Sequence, residues 1–168
     1  TDFEAQAKLA QCDFQDEIRT PEEHNAKIAQ AKYYAMIAQI DDQFGRILKT
    51  LDETGQRKNT VIIFTSDHGD YLGDHWLGEK DLFHEPSIRI PLIIVEPKMP
   101  ENLRGSSENR MIESVDVVPT LVETMGGSYA SNRMEGRSLV PLLFGDNPIW
   151  RDTVFAEIDY SDRGARQI

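Results

Sequence analysis

The chain has 168 residues, 39% of them hydrophobic and 28% charged, a balance that fits an ordinary folded globular protein and argues against disorder. Its formal net charge of −11, from 29 acidic and 18 basic residues, repels phosphate backbones and argues against a nucleic-acid partner, but a small anion could still bind at a metal or a well-placed lysine. The single cysteine, Cys12, excludes an intrachain disulfide, and no window approaches the roughly 18 apolar residues of a membrane span.

Residues 1–19 are mixed and polar without a clear period, and read as a lead segment to a single domain covering 1–168. Thr20-Pro21-Glu22-Glu23 has the form of a capping box with proline at the first helical position. Ile37, Ile40, Phe44, Ile47, Leu48 and Leu51 then recur at helical spacing up to Gly55, so one long helix is expected from about Pro21 to Thr54, with this stripe and the Tyr33-Tyr34 pair as core. Thr60-Val61-Ile62-Ile63-Phe64-Thr65 reads as a strand buried on both faces, and Ile90 to Val95 as a second, with Pro91 near its start. A polar, glycine-bearing loop joins them. After a loop over 96–113, a helix is expected from Ser114 to Met125, stopped by Gly126-Gly127. A short apolar stretch, Ser138 to Phe144, and a last strand, Thr153 to Ile158, complete the chain. Helix, buried strand, loop, buried strand and helix in that order predict an α/β sheet with crossovers.

The chemistry gathers where the first strand ends, in Ser66-Asp67-His68-Gly69-Asp70-Tyr71-Leu72-Gly73-Asp74-His75-Trp76-Leu77-Gly78-Glu79-Lys80. Ligands of open α/β sheets sit beyond the carboxyl ends of strands. Asp67 and His68 offer a carboxylate and an imidazole, both suited to a divalent cation. Gly69 permits a sharp turn behind them. Lys80 is far enough along the loop to fold back and face an anionic ester oxygen. Each residue also has a plainer reading. Asp67-His68 could be a cap beside a solvated imidazole, and Lys80 an ordinary surface lysine. Asp41-Asp42 on a helix point to different sides, which suits solvation rather than a second metal.

The ordered set resembles the sulfatase family of the alkaline phosphatase superfamily. The resemblance is carried by Phe64-Thr65-Ser66-Asp67-His68-Gly69, Leu72-Gly73-Asp74-His75, Lys80, and Pro86-Ser87-Ile88-Arg89-Ile90-Pro91-Leu92-Ile93-Ile94. Asp116-Val117-Val118-Pro119-Thr120-Leu121 and Glu135-Gly136-Arg137-Ser138-Leu139 through Pro141-Leu142-Leu143 extend it. Within the family, Pro86 to Pro91 and Trp150-Arg151-Asp152 through Tyr160 are similar to the phosphonate monoester hydrolase and phosphodiesterase branch.

The resemblance implies part of an alkaline-phosphatase-like sandwich, a mostly parallel sheet flanked by helices. It implies that Asp67 and His68 are ligands of a catalytic divalent metal, calcium or manganese, and that Lys80 contacts the head group of a small anionic ester. Asp74 and His75 would stand behind these groups. His84 falls where the family carries variable, often aromatic residues, which implies a place in the substrate pocket. Arg89 would pair with a carboxylate. The family's nucleophile is a formylglycine made from a Cys or Ser in a C/S-x-P/A-x-R segment, and no such segment occurs here. Cys12 is followed by Asp13-Phe14-Gln15-Asp16. The chain is therefore expected to be a carboxy-terminal portion that lacks turnover, with an exposed sheet edge that promotes self-association into homo-oligomers. Cytoplasm and periplasm both remain open as locations. A reading from another class is a non-catalytic domain of the same fold that binds a partner.

Overall fold

The computed structural model describes residues 23–80, 82–160 and 165–167, which fall into two compact units, Thr1–Ile93 and Ile94–Ile168. The expected lead segment 1–19, Cys12 and most of the expected capping box lie outside the described residues. In the first unit, helix α1 spans Glu23–Glu53. Its sequence is rich in Ala, Gln, Lys and Ile and contains no proline. It ends in a Schellman turn: Gly55 takes φ 70°, its N–H donates to the Asp52 carbonyl (3.1 Å), and the Gln56 N–H donates to the Leu51 carbonyl (2.9 Å). A 3₁₀ turn at Arg57–Asn59 leads into strand β1, Ile62–Thr65. Phe64 of β1 packs on Phe44 of α1 with ring centroids 5.4 Å apart. Helix α2, Glu85–Ile88, precedes strand β2, Leu92–Val95, and β1 and β2 form a two-stranded sheet.

Both strands are shorter than expected, and neither is buried on both faces. Ile62, Ile63 and Phe64 are half-buried, whereas β2 alternates, with Leu92 and Ile94 half-buried and Ile93 and Val95 exposed. Among the described residues each strand has one hydrogen-bonded neighbour. The helical stripe also departs from expectation. Tyr34, Ile37, Ile40 and Ile47 are exposed, Phe44, Leu48 and Leu51 are half-buried, and among the described side chains of α1 the buried ones are Ala29 and Lys32. Among the described residues no helix is long and apolar enough to cross a membrane.

The second unit is organised around one carboxylate. A 3₁₀ turn at Ser114–Asp116 runs into helix α3, Val117–Thr124, which Gly126 ends at φ 78°. Helix α4 spans Val140–Leu143. The last strand is displaced from its expected place. Strand β3, Ile158–Tyr160, pairs antiparallel with β4, Ala165–Gln167, with Asp159 opposite Arg166. Asp116 is 0% exposed. It accepts two parallel hydrogen bonds from the Arg151 guanidinium (2.6 and 2.7 Å), one from the Glu113 N–H (2.9 Å) and one from the Arg137 N–H (2.7 Å). Arg151 also pairs with Glu113 at 2.6 Å and lies over the Trp150 ring. Thr120 receives the Leu139 N–H at 2.9 Å, and a side chain at Gly136 would strike the Val115 carbonyl oxygen at 2.0 Å. The two sequence segments 116–121 and 135–143 are thus stitched together by backbone donors ending on buried oxygens.

Burial pushes the Asp116 carboxyl up, but the Arg151 bonds and the two backbone donors outweigh it and leave its pKa below the ordinary value. A depressed folded-state value means that the contribution to stability is complete above the unfolded value near about 4 and is lost as pH falls through the folded value. Asp116→Asn is expected to destabilise this unit by about 3 kcal/mol, because buried Arg151 loses its bidentate carboxylate and keeps only Glu113 as a counter-charge. Urea unfolding of the two forms at neutral pH and below pH ~3 checks this, with the difference shrinking in acid.

Candidate functional site

Residues 66–70 turn away from the end of β1, and side chains close to the backbone set the turn. The Ser66 hydroxyl donates to the His68 carbonyl at 2.8 Å, and the His68 N–H donates to Asp67 Oδ1 at 2.9 Å. That second bond holds the Asp67 carboxyl below its usual range. Gly69 then presses against the turn that opens α2: its N–H donates to the Ser87 carbonyl at 2.7 Å. A Cβ built there would lie 1.9 Å from the Pro86 carbonyl oxygen, so glycine is required by close backbone approach.

The same turn orients His68. Its Nδ1 lies 2.7 Å from the Gly69 carbonyl oxygen. A carbonyl can only accept, so Nδ1 carries the proton and Nε2 presents its lone pair. Asp67 Oδ2 lies 3.4 Å from that Nε2. Two lone-pair atoms facing one another at this distance are stabilised by a cation between or beside them, and a carboxylate oxygen with an imidazole nitrogen suits a divalent metal. The pair therefore fits as two ligands of one ion. Among the described residues no third His, Cys, Asp or Glu joins them in a cluster. The Lys80 ammonium donates to His68 Nε2 at 2.8 Å, which puts a positive charge at the same edge.

The loop that returns Lys80 is bent sharply. Leu72, His75, Trp76 and Glu79 all have positive φ, between 49° and 60°, as does Gly73 at 98°. A left-handed conformation at a non-glycine residue costs on the order of 1 kcal/mol, so the surroundings must hold these residues there. They do so through Tyr71, which is 1% exposed. Its N–H donates to the Glu79 carbonyl (2.8 Å), and its carbonyl accepts the Asp74 N–H (2.8 Å). Asp70 caps the Leu72 N–H at 2.9 Å, and burial raises the pKa of its carboxyl. Gln30 of α1 donates to the Leu72 carbonyl at 3.2 Å. Burial raises the pKa of Tyr33 on the same helix, with Asp70 and Asp67 adding to the shift.

Of the residues singled out from sequence, Asp67, His68 and Lys80 are brought together. Asp74 and His75 belong to a 3₁₀ turn, Asp74–Trp76, and neither is bonded to Asp67 or His68 among the contacts resolved. The His75 ring stacks on His84 with centroids 4.2 Å apart, and His84 Nδ1 meets the Tyr71 hydroxyl at 2.9 Å. Arg89 pairs with Glu85 at 3.4 Å on the surface. Sequence reasoning passed over Tyr71, Asp70 and Ser87.

Comparison with known proteins identifies the family of the chain. Residues 6–128 match the family described as Sulfatase. The chain is 42% identical over 144 residues to the multifunctional alkaline phosphatase superfamily protein PehA of Trinickia caryophylli, covering 85% of this chain and 28% of the relative. It is 36% identical over 137 residues to an arylsulfatase of Clostridium perfringens, covering 81% and 28%. Among solved structures, the phosphonate monoester hydrolase of Agrobacterium radiobacter superposes with a TM-score of 0.74 at 38% identity, over 81% of this chain and 27% of that one. The chain thus spans about 28% of the length of the curated relatives it matches, and its neighbours are α/β proteins of the alkaline-phosphatase-like kind.

Replacing Gly69 by alanine should separate the strand end from α2, since the new methyl group has no space beside the Pro86 carbonyl. The expected cost is more than about 3 kcal/mol, read by chemical denaturation. An unchanged midpoint would show that the turn has slack.

Proposed function

The chain belongs to the sulfatase family, and on that premise we propose that its protein is a metal-dependent hydrolase of sulfate, phosphate or phosphonate esters. The observation that carries this reading is the convergence of Asp67 Oδ2, His68 Nε2 and Lys80 Nζ at the tip of β1. The names of the relatives, an arylsulfatase and a phosphonate monoester hydrolase among them, support the substrate class. In the same reading strands β1 and β2 belong to a larger, mostly parallel sheet flanked by helices.

Asp67 and His68 would hold a divalent cation, calcium or manganese, whose chemistry when bound is that of a Lewis acid toward a nonbridging ester oxygen. The Gly69 carbonyl keeps the proton of His68 on Nδ1, which would leave Nε2 as the nitrogen able to hold that ion. Lys80 would turn its ammonium to the ester's anionic head group and offset charge on the transferring group. The bonds already made within the 66–70 turn would hold Asp67 and His68 in place before the ion and the ester arrive. A small anionic ester reaching this edge of an acidic protein would meet its attraction here, at the ion and the lysine.

The sequence holds no C/S-x-P/A-x-R segment, so these residues supply ligands and a cation but no formylglycine nucleophile. We accordingly expect no turnover from the 168-residue chain by itself. A panel of an aryl sulfate, an aryl phosphodiester and an aryl phosphonate monoester tests the proposal. Provided with the nucleophile segment, the protein should hydrolyse at least one of the three, and Lys80→Ala should lower kcat/KM by about 10²–10³-fold. Full rates in Lys80→Ala, or turnover by the chain alone, would contradict the assignment.

A further inference from the structure

We propose that Tyr71 is a positioning residue for Lys80, acting through a clamp that it forms with His84 and His75; the anion-binding consequence rests on the function proposed above, the geometry does not. Lys80 is exposed, and a free lysine side chain carries about 2 kcal/mol of rotamer freedom. What places its ammonium 2.8 Å from His68 Nε2 is therefore the position of its backbone. Tyr71 fixes that position from both limbs of the loop. On one side its N–H holds the Glu79 carbonyl, the residue before Lys80, at 2.8 Å. On the other its hydroxyl joins His84 Nδ1 at 2.9 Å, four residues beyond Lys80.

The clamp is closed by a ring cluster. His84 stacks on His75 at 4.2 Å and 16° between planes, and both imidazoles stand edge-on to the Tyr71 ring, at 5.7 and 6.2 Å. His75 is held at φ 55° and ψ 20°, a left-handed conformation uncommon for residues other than glycine. The stack thus compensates strain in the segment that carries the lysine. Tyr71 is also among the largest fully buried side chains of the described residues, so its hydroxyl has few alternatives to His84: leaving it unmade would strand a buried donor. A buried anchor, a bond to each limb and an exposed lysine between them make a device that positions rather than merely fills space.

The test uses the chain with Tyr71→Phe, His84→Ala and Lys80→Ala, alone and in pairs. Imidazole nitrogen resonances are recorded by NMR, and inorganic phosphate binding is measured in the presence of Mn²⁺. The His68 Nε2 resonance in Tyr71→Phe and in His84→Ala should shift toward its Lys80→Ala value. Phosphate affinity should fall about three- to tenfold, the worth of one hydrogen bond, with no further loss when Lys80→Ala is already present. His84 is exposed, so its removal opens no core and gives the answer if Tyr71→Phe fails to fold. An unmoved His68 resonance in both variants while Lys80→Ala moves it, or an equal affinity loss in the Lys80→Ala background, would overturn the clamp. If the unaltered chain binds no phosphate, the hydrolase reading fails, and the resonance shifts still decide the clamp.

Discussion

The rest of the site depends on the contact of Gly69 with the turn that opens α2. One bond, from the Gly69 N–H to the Ser87 carbonyl at 2.7 Å, joins the segment leaving β1 to the segment entering β2. With no side chain at residue 69, the two backbones approach closely enough to make it. The Gly69 carbonyl then fixes the His68 ring, and the loop between the two segments has to leave and return within a short span. The left-handed residues between Leu72 and Glu79 follow from that constraint. The strain is stored beside Asp67, His68 and Lys80 and is held by buried Tyr71.

The electrostatics divide along the same line. The chain is strongly acidic, yet its two neighbouring loop carboxylates live in opposite environments. Asp67, with an 84% exposed side chain, is held below the usual carboxyl range by the His68 N–H, so it offers an ionised oxygen over the whole neutral range. Burial raises the pKa of Asp70, whose side chain spends a bond on the Leu72 N–H. One is poised for a cation and the other for shaping the loop. In the second unit the same residue type does a third job: Asp116 ties four backbone and side-chain donors into a buried knot.

Long, strongly patterned elements were legible in the sequence, and short tertiary ones were not. Helix α1 and its stop at Gly55, strands β1 and β2, and helix α3 with its stop at Gly126 are where periodicity and turn chemistry put them. The four-residue helices α2 and α4 carry too few residues to show a period, and β3 starts near the end of the segment read as the last strand. Burial was misjudged where pattern speaks only of what a face prefers. The Ile37, Ile40 and Ile47 stripe and alternate residues of β2 are exposed, because a pattern cannot say whether a partner layer is present. At the site, adjacency made Asp67 and His68 visible, and family resemblance made Lys80 visible. The resemblance implies a pocket position for His84, and its partners, the Tyr71 hydroxyl and the His75 ring, are contacts that depend on loop geometry and leave no mark in residue order.

The central claim is that the carboxylate of Asp67 and the imidazole of His68 share one cation, with Lys80 beside it. Diffraction from crystals grown with manganese, recorded on both sides of the metal's absorption edge, tests it most directly. The account predicts an anomalous peak within coordination distance of both Asp67 Oδ2 and His68 Nε2, with Lys80 Nζ displaced from the nitrogen it now contacts. A peak bound elsewhere, or none at these two atoms while Lys80 keeps its bond to His68, would contradict it.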